Sequence, residues 1–190
     1  QIFLAHGDQS AGYDVFFFIL VLLGLWSWLP IYFSFGIFYL SESFQNGVVG
    51  IADAFGTRMS TGSLWGDLAL FIVVWSFFDY WNHRILHFYP FWYLHRMHHS
   101  ATNMTLFTAP RNNPMSFVVE PFIRAWPFVL LAPNPYVLLI FGTLNHLYQI
   151  LAHSRIASDW GWIGAWFLVS PAAHRVHHST NPEHYGKNLA

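Results

Sequence analysis

The sequence contains no cysteine, which excludes disulfides, thiolate metal sites and cysteine nucleophiles. Charge is also scarce: charged side chains make up 9% of the 190 residues, against about 25% in an ordinary soluble domain. The formal net charge is −1 and no basic run occurs, so we expect no nucleic acid partner, because phosphate binding needs clustered cations. Hydrophobic residues make up 55% and aromatic residues 21%. Lipid is therefore the expected solvent for much of the surface.

Apolar stretches predict a single all-α integral membrane domain over residues 1–190, with about four transmembrane helices in two hairpins. Residues 15–40 carry no charge and exceed the about 20 residues that cross a hydrocarbon core; a buried core helix is the alternative, and Pro30 predicts a kink. Residues 41–66, rich in glycine and serine, are expected to form a loop or an interfacial segment. The other predicted spans are 64–86, 116–131 and 135–152, the last two separated by the turn signal APNP.

This topology places the histidine-rich segments 83–114 and 153–190 on one side, as a helical cap. Most of the cations lie on that side, whereas the opposite face has Arg58 and little else. By the positive-inside rule the cap is cytoplasmic, in a bacterial inner membrane or the endoplasmic reticulum. The cations of the cap side are Arg84, Arg96, Arg111, Arg155, Arg175 and Lys187.

Eight histidines form three clusters with helical spacing. On a helix, residues at i, i+3 and i+4 share one face, so each cluster can direct its imidazoles at one point. Imidazole is a ligand for iron, zinc, copper and nickel, and leaving eight of these rings buried without partners would be costly. A single ion takes four to six ligands, so two ions are expected. The clusters are HxxxH at His83 and His87, HxxHH at His95, His98 and His99, and HxxHH at His174, His177 and His178.

Longer motifs around these clusters resemble the fatty acid hydroxylase superfamily, also called the sterol desaturase family. The segments that carry the resemblance are FDYWNHRILH, WYLHRMHHS, LYQILAHS and HRVHHSTNPEHYGKN, together with TAPR (Thr108–Arg111), which is similar to the alkylglycerol monooxygenase-like branch. Two departures stand out. The residues after HHS lack an acidic side chain that many relatives carry, and relatives continue beyond the K-N motif, so we expect the chain to be truncated after Ala190.

The resemblance implies a set of metal ligands and a smaller set of supporting residues. It adds His153 to the eight clustered histidines, giving His83, His87, His95, His98, His99, His153, His174, His177 and His178. It leaves His184, His146, Asp79, Gln149 and Asn181 as possible further ligands or as residues that orient ligands. Asn103 and Asn188 are weaker candidates for orienting a ligand.

The resemblance also implies a function: a membrane-bound non-haem di-iron oxygenase that hydroxylates or desaturates a C–H bond of a fatty acyl, alkyl or sterol-like lipid. The implied cofactors are two iron ions, with O2 as co-substrate and zinc as a possible occupant of the purified protein. No flavin or haem motif is visible, so electrons are expected from an external donor of the cytochrome b5, ferredoxin or reductase type. Trp75, Phe78, Trp81 and Trp92 are candidates for the lipid path, with core packing or an interfacial belt as the alternative.

Two other functions stay open at this point. One is a non-enzymatic membrane subunit of a larger complex that binds pigment or haem or keeps a degenerate metal site. The other is a zinc-loaded, catalytically silent relative. Pigment binding usually uses single histidines deep within the spans, whereas the histidines of this chain cluster at the ends of the spans. The oligomeric state is not indicated by the sequence.

Overall fold

The computed structural model describes residues 9–34, 36–55 and 59–189, and within them the chain is entirely helical, without a strand. This agrees with the predicted all-α class. Two 3-10 turns, His98–Ser100 and Pro182–His184, complete the regular structure. The helices are α1 Gln9–Leu22, α2 Leu25–Phe33, α3 Ile37–Phe55, α4 Leu64–Leu86, α5 Trp92–His95, α6 Ser116–Val119, α7 Pro121–Arg124, α8 Trp126–Leu131, α9 Pro135–Ala152, α10 Gly161–Trp166 and α11 Pro171–His177.

Helices α4 and α9 form the centre of the fold. Each begins at a side-chain cap: the Ser63 hydroxyl accepts from the Gly66 amide at 3.1 Å, and the Asn134 side chain accepts from the Tyr136 amide at 2.8 Å. Their apolar faces meet in a core that also includes α8. Phe71 is its fully buried centre, packed edge-to-face against Phe141 with ring centroids 4.9 Å apart. The buried core consists of Leu68, Phe71, Leu131, Val137 and Phe141.

Among the described helices, α4 alone is long and apolar enough to cross a membrane by length and composition. It coincides with the predicted span 64–86, and α9 coincides with 135–152. Only 11% of the apolar stretch of α4 is buried inside the protein. A core helix of a soluble protein would be mostly buried, so α4 fits a lipid environment better than a soluble core.

The first predicted span differs from the structure. Residues 15–40 do not form one kinked helix: α1 ends at Leu22 and α2 begins at Leu25. The break occurs at Gly24, whose φ of +72° is in the left-handed region that glycine adopts without steric cost. Residues 41–66 were expected to form a loop or an interfacial segment; the loop alternative is wrong as far as residue 55, because α3 covers Ile37–Phe55, and the interfacial alternative stays a prediction. The glycines of this segment favoured a loop in the sequence, but Gly47 and Gly50 lie within this helix.

The third predicted span, 116–131, is divided into α6, α7 and α8. Its interruptions fall at Glu120, directly before Pro121, and at Ala125, two residues before Pro127. A proline lacks the amide hydrogen and displaces the preceding turn, so a helical ladder cannot run through unchanged. This segment packs against α3 and α4. It also carries an ion pair at i, i+4, in which the Arg124 guanidinium contacts the Glu120 carboxylate.

A buried ion pair fixes α1 to the segment that follows the second histidine cluster. Arg111 Nη1 lies 2.9 Å from Asp14 Oδ1, and the two residues are 7% and 0% exposed. The other carboxylate oxygen, Oδ2, accepts hydrogen bonds from the hydroxyls of Thr105 and Thr108. Arg111 also reaches the Ser100 carbonyl at 3.5 Å. The TAPR motif therefore has a structural role: its first and last side chains bind a carboxylate from α1.

Candidate metal centre

Short helices and helix ends bring the histidines together. His83 lies in the last turn of α4, and His87 is the residue that caps that helix. α5 ends at His95, and His153 caps the C-terminus of α9. The 3-10 turn that follows α5 carries His98 and His99. Helix α11 carries His174 and His177 and is capped by His178. The site is therefore built where helices α4 and α9 end, beyond the apolar core.

Nine histidines form two groups, in each of which the ligand nitrogens lie within 4.8 Å of one another. The groups do not follow the clusters in the sequence. In the HxxHH cluster at 95–99, His98 belongs to one group, whereas His95 and His99 belong to the other, because neighbouring residues on a helix point in different directions. Group A consists of His83, His87, His95, His99 and His177, and group B of His98, His153, His174 and His178.

The distances between ring nitrogens suit a shared metal ion. In group A, His83 Nε2 lies 3.0 Å from His95 Nε2 and 3.1 Å from His177 Nε2. In group B, His153 Nε2 lies 3.0 Å from Nε2 of both His98 and His174. Two ligands at right angles around an ion with bonds of about 2.1 Å are separated by about 3.0 Å. Both groups therefore have the spacing of neighbouring ligands on one ion.

The two groups adjoin each other. The rings of His99 in group A and His178 in group B are stacked with centroids 4.3 Å apart, and those of His95 and His98 with centroids 5.1 Å apart. Two ions held by these groups would be neighbours with no protein layer between them. Such an arrangement is required for two metals to act on one small molecule.

Burial keeps these imidazoles neutral. Burial lowers the pKa of His98 well below its ordinary value, and the nearby His178 lowers it further. Burial likewise lowers the pKa of His87 and of His153 to about 4 and that of His99 to about 2. At neutral pH these rings carry no charge, so each has a nitrogen lone pair free to bind a metal.

Several ring nitrogens lack a partner, which supports the fit to a metal. Within the described part of the chain, His87 Nε2 and His99 Nε2 in group A and His98 Nδ1 and His178 Nδ1 in group B are buried without a hydrogen bond. An unsatisfied buried polar atom costs about 1–3 kcal/mol, and four in one place are unusual. For His87 and His99, an ion at the centre of the group would satisfy the nitrogen.

Backbone carbonyls orient one ring in each group. His153 Nδ1 donates to the Gln149 carbonyl at 2.7 Å, and His177 Nδ1 donates to the Lys187 carbonyl at 2.9 Å. A carbonyl only accepts, so both Nδ1 atoms carry the proton and both Nε2 lone pairs face the group. Metal-binding histidines are commonly held in this way.

Comparison with known proteins places this geometry in a family. The family model described as fatty acid hydroxylase matches residues 68–190, which include all nine histidines. The chain belongs to the fatty acid hydroxylase family. Alkylglycerol monooxygenase of Xenopus tropicalis is 29% identical over 93% of this chain and 43% of its own length. The enzymes of the same name from Danio rerio and Homo sapiens are 36% and 33% identical over 58% and 67% of this chain, and over 24% and 28% of their own lengths.

These matches define how far the resemblance extends. The chain spans less than half the length of the curated relatives it matches. No solved structure matches it. Within the fatty acid hydroxylase family, the resemblance to the alkylglycerol monooxygenases agrees with the branch that the TAPR motif indicated.

The structure assigns other positions to the five residues expected to support the ligands. Asp79 was expected to bind a metal or to orient a ligand, but it binds Arg124, with Oδ1 2.6 Å from Nη2. Gln149 contributes its backbone carbonyl rather than its side chain. The Asn181 side chain accepts from the Glu183 amide and caps a 3-10 turn. His146 is exposed on α9, and His184 is half-buried; both lie outside groups A and B.

The four aromatic residues proposed for the lipid path are in different environments. The Trp92 ring lies against His87 and His99 of group A, with centroids 5.3 and 5.2 Å away. Trp75 packs in the core against Phe141, as the alternative interpretation held. Phe78 and Trp81 contact aromatic neighbours on α4 itself. Of these four, Trp92 therefore contacts the candidate metal centre with its ring.

A buried amide beside the site was not found from the sequence. Asn82, next to His83, is 1% exposed, and its amide donates to Glu120 Oε2 at 3.4 Å. Glu120 in turn pairs with Arg124, which binds Asp79. This network fixes α7 against the last turns of α4, from which the His83 ring projects. The sequence did not indicate this contact, because Asn82 and Glu120 are 38 positions apart.

The helix that carries three of the histidines depends on a capping serine. The buried Ser170 hydroxyl accepts from the Ala173 amide at 3.2 Å at the start of α11. We expect Ser170→Ala to lower the free energy of unfolding by about 0.5–2 kcal/mol, measured by chemical denaturation in detergent. Ser170→Thr, which keeps a hydroxyl, should lose less. Equal stability of Ser170→Ala and the unmodified protein would show that the cap contributes nothing.

Proposed function

We propose that this protein is a membrane-bound non-haem di-iron oxygenase that inserts oxygen into, or desaturates, a C–H bond of a lipid. The observation that carries the proposal is the convergence of nine buried or half-buried, neutral imidazoles into two adjacent groups with the spacing of metal ligands. The family match and the alkylglycerol monooxygenase relatives support an oxidoreductase that acts on lipids.

The residues present fit two ions of a metal that accepts nitrogen ligands. Group A would hold one ion with up to five imidazoles and group B a second ion with up to four. When bound, two iron ions supply the activation of O2 that oxidation of an unreactive C–H bond requires. The protein holds the rings, keeps them neutral by burial, and shields the group A side with Trp92.

The substrate proposed is a lipid that enters from the bilayer. Helix α4 exposes apolar side chains such as Val73 and Phe77 along its length and ends at the histidine site. A lipid chain beside this helix would have its polar end near the cap.

The membrane topology proposed is about four spans in two hairpins with a cytoplasmic cap, in the endoplasmic reticulum or a bacterial inner membrane. Because several relatives are named alkylglycerol monooxygenases, an alkylglycerol is the first lipid to test.

The electrons are proposed to come from an external donor of the cytochrome b5, ferredoxin or reductase type. The pigment- or haem-binding subunit fits less well, because its ligands are usually single histidines within the spans, whereas nine rings here form two groups at helix ends. An absorption spectrum of the purified protein distinguishes this subunit from the oxygenase. A tetrapyrrole band supports the subunit, and its absence together with bound iron supports the oxygenase.

The experiment that tests the function compares lipids from cells that express the full-length protein with lipids from cells that express its His174→Ala variant. Alkylglycerol is supplied under ¹⁸O2 and the lipids are analysed by mass spectrometry. We expect an ¹⁸O-labelled product, or a product two mass units lighter than the substrate, only with the unmodified protein. Identical lipid profiles in both cultures, with equal amounts of folded protein and a supplied reductant, would contradict the proposal.

A further inference from the structure

The segment Lys187–Leu189 lies over group A. The Lys187 carbonyl accepts from His177 Nδ1 at 2.9 Å. His177 belongs to group A, and its Nε2 faces Nε2 of His83 at 3.1 Å. The Lys187 carbonyl therefore contacts the outer side of a ring whose inner nitrogen faces the group.

Asn188, next to Lys187, fixes the path of the segment in two ways. Its φ of +53° is in the left-handed region, which asparagine tolerates better than other residues with a side chain. Its amide donates from Nδ2 to the Ala173 carbonyl at 3.1 Å, which ties the segment to α11, the helix that carries His177. The next residue, Leu189, is 6% exposed and anchors the segment on the other side.

We infer that Asn188 is a positioning residue for group A: its left-handed backbone and its amide bond to α11 hold the Lys187 carbonyl against His177. This inference rests on the proposed metal centre. The protonated Nδ1 of His177 is fixed by a carbonyl that cannot donate, so its Nε2 lone pair points into the group. Removing such an outer partner lowers metal affinity by about 10–100-fold in other metal sites.

Group B does not depend on this segment in the same way. Its His153 ring is oriented by the Gln149 carbonyl, which belongs to the regular backbone of α9. Loosening residues 187–189 should therefore weaken one ion site and leave the other. A general loss of stability would affect both sites, so selectivity separates positioning from structural support.

The test is a Co²⁺ titration of the metal-free full-length protein in detergent, followed by the visible absorption of bound cobalt. We expect two ions per chain for the unmodified protein. Asn188→Ala, which loses the amide and disfavours the left-handed conformation, should weaken one of the two binding steps by about 10–100-fold and change its absorption band. Asn188→Gly keeps the backbone conformation and loses only the amide, so its binding should be partly restored. His87→Ala identifies the step that belongs to group A.

Asn181→Ala is the matched control. It also removes an asparagine hydrogen bond from the last part of the chain, but that bond caps a 3-10 turn and touches neither group. Both binding steps should remain as in the unmodified protein. The inference is overturned if Asn188→Ala binds both ions normally, if it weakens both steps equally, or if Asn181→Ala has the same effect. Failure of the unmodified protein to bind cobalt would overturn the proposed metal centre itself.

Discussion

His98→Ala should empty the group B ion site and reduce lipid oxidation below detection. His98 is buried, and its Nε2 lies 3.0 Å from His153 Nε2. Group B has four ligand nitrogens, so the variant leaves three, whereas group A keeps all five. Removal of the His98 ring also leaves a cavity beside group A, because the centroid of that ring lies 5.1 Å from the centroid of the His95 ring. Metal analysis and the lipid assay together check this result.

His146→Ala is the matched control for that variant. His146 lies on α9 like the residues that lead to His153, but its side chain is exposed and outside both groups. It should keep the full metal content and the full activity. The account would be contradicted by His98→Ala protein that retains all its metal and its activity, or by an equal loss in His146→Ala.

Asp14→Ala should cause the largest loss of stability. The substitution leaves the Arg111 guanidinium buried without its counter-charge and removes the acceptor of two threonine hydroxyls. Breaking a buried ion pair from one side costs about 3–5 kcal/mol. The free energy of unfolding in detergent, from chemical denaturation, is the measurement. Glu42→Ala, an exposed acidic position on α3, should change it by less than about 0.5 kcal/mol.

The double variant Asp14→Ala with Arg111→Met separates the contribution of the ion pair to stability from the contribution of the surrounding packing. Removing both charges avoids an unpaired buried cation, and replacement of a whole buried pair by apolar groups is often close to neutral. We therefore expect the double variant to regain much of the stability lost in Asp14→Ala. If the two substitutions simply add, the Asp14–Arg111 contact is not what stabilises this part of the fold.

Local signals in the sequence were sufficient for some elements. Helices α4 and α9 are long, apolar and preceded by Ser63 and Asn134, and the structure places them at the expected positions. The nine histidines were found from their spacing and from the family resemblance, and the structure brings all nine together. Their role as ligands stays a prediction. Spacing succeeds here because the members of each cluster lie within five residues of one another, on one helix end or on two consecutive short elements, so they are neighbours wherever those elements are placed.

Other features depend on contacts that no local pattern encodes. Asp14 and Arg111 are 97 positions apart, and Asn82 and Glu120 are 38 apart. Asp79 looked like a partner for an imidazole because it precedes His83 by one turn, but an arginine from α7 binds it instead. The division of the histidines between two groups likewise follows from how α5, α11 and the helix ends pack. The helix α3 was missed because its glycines outweighed its apolar residues in a local interpretation.

The central claim is that two neighbouring metal ions are held by these nine imidazoles. The most direct test is the iron content of the full-length protein, loaded anaerobically with Fe²⁺ in detergent, washed free of excess metal and analysed by plasma mass spectrometry. The account predicts two iron ions per folded chain, falling to one in His98→Ala. A single ion per chain in the unmodified protein, or none, would contradict it.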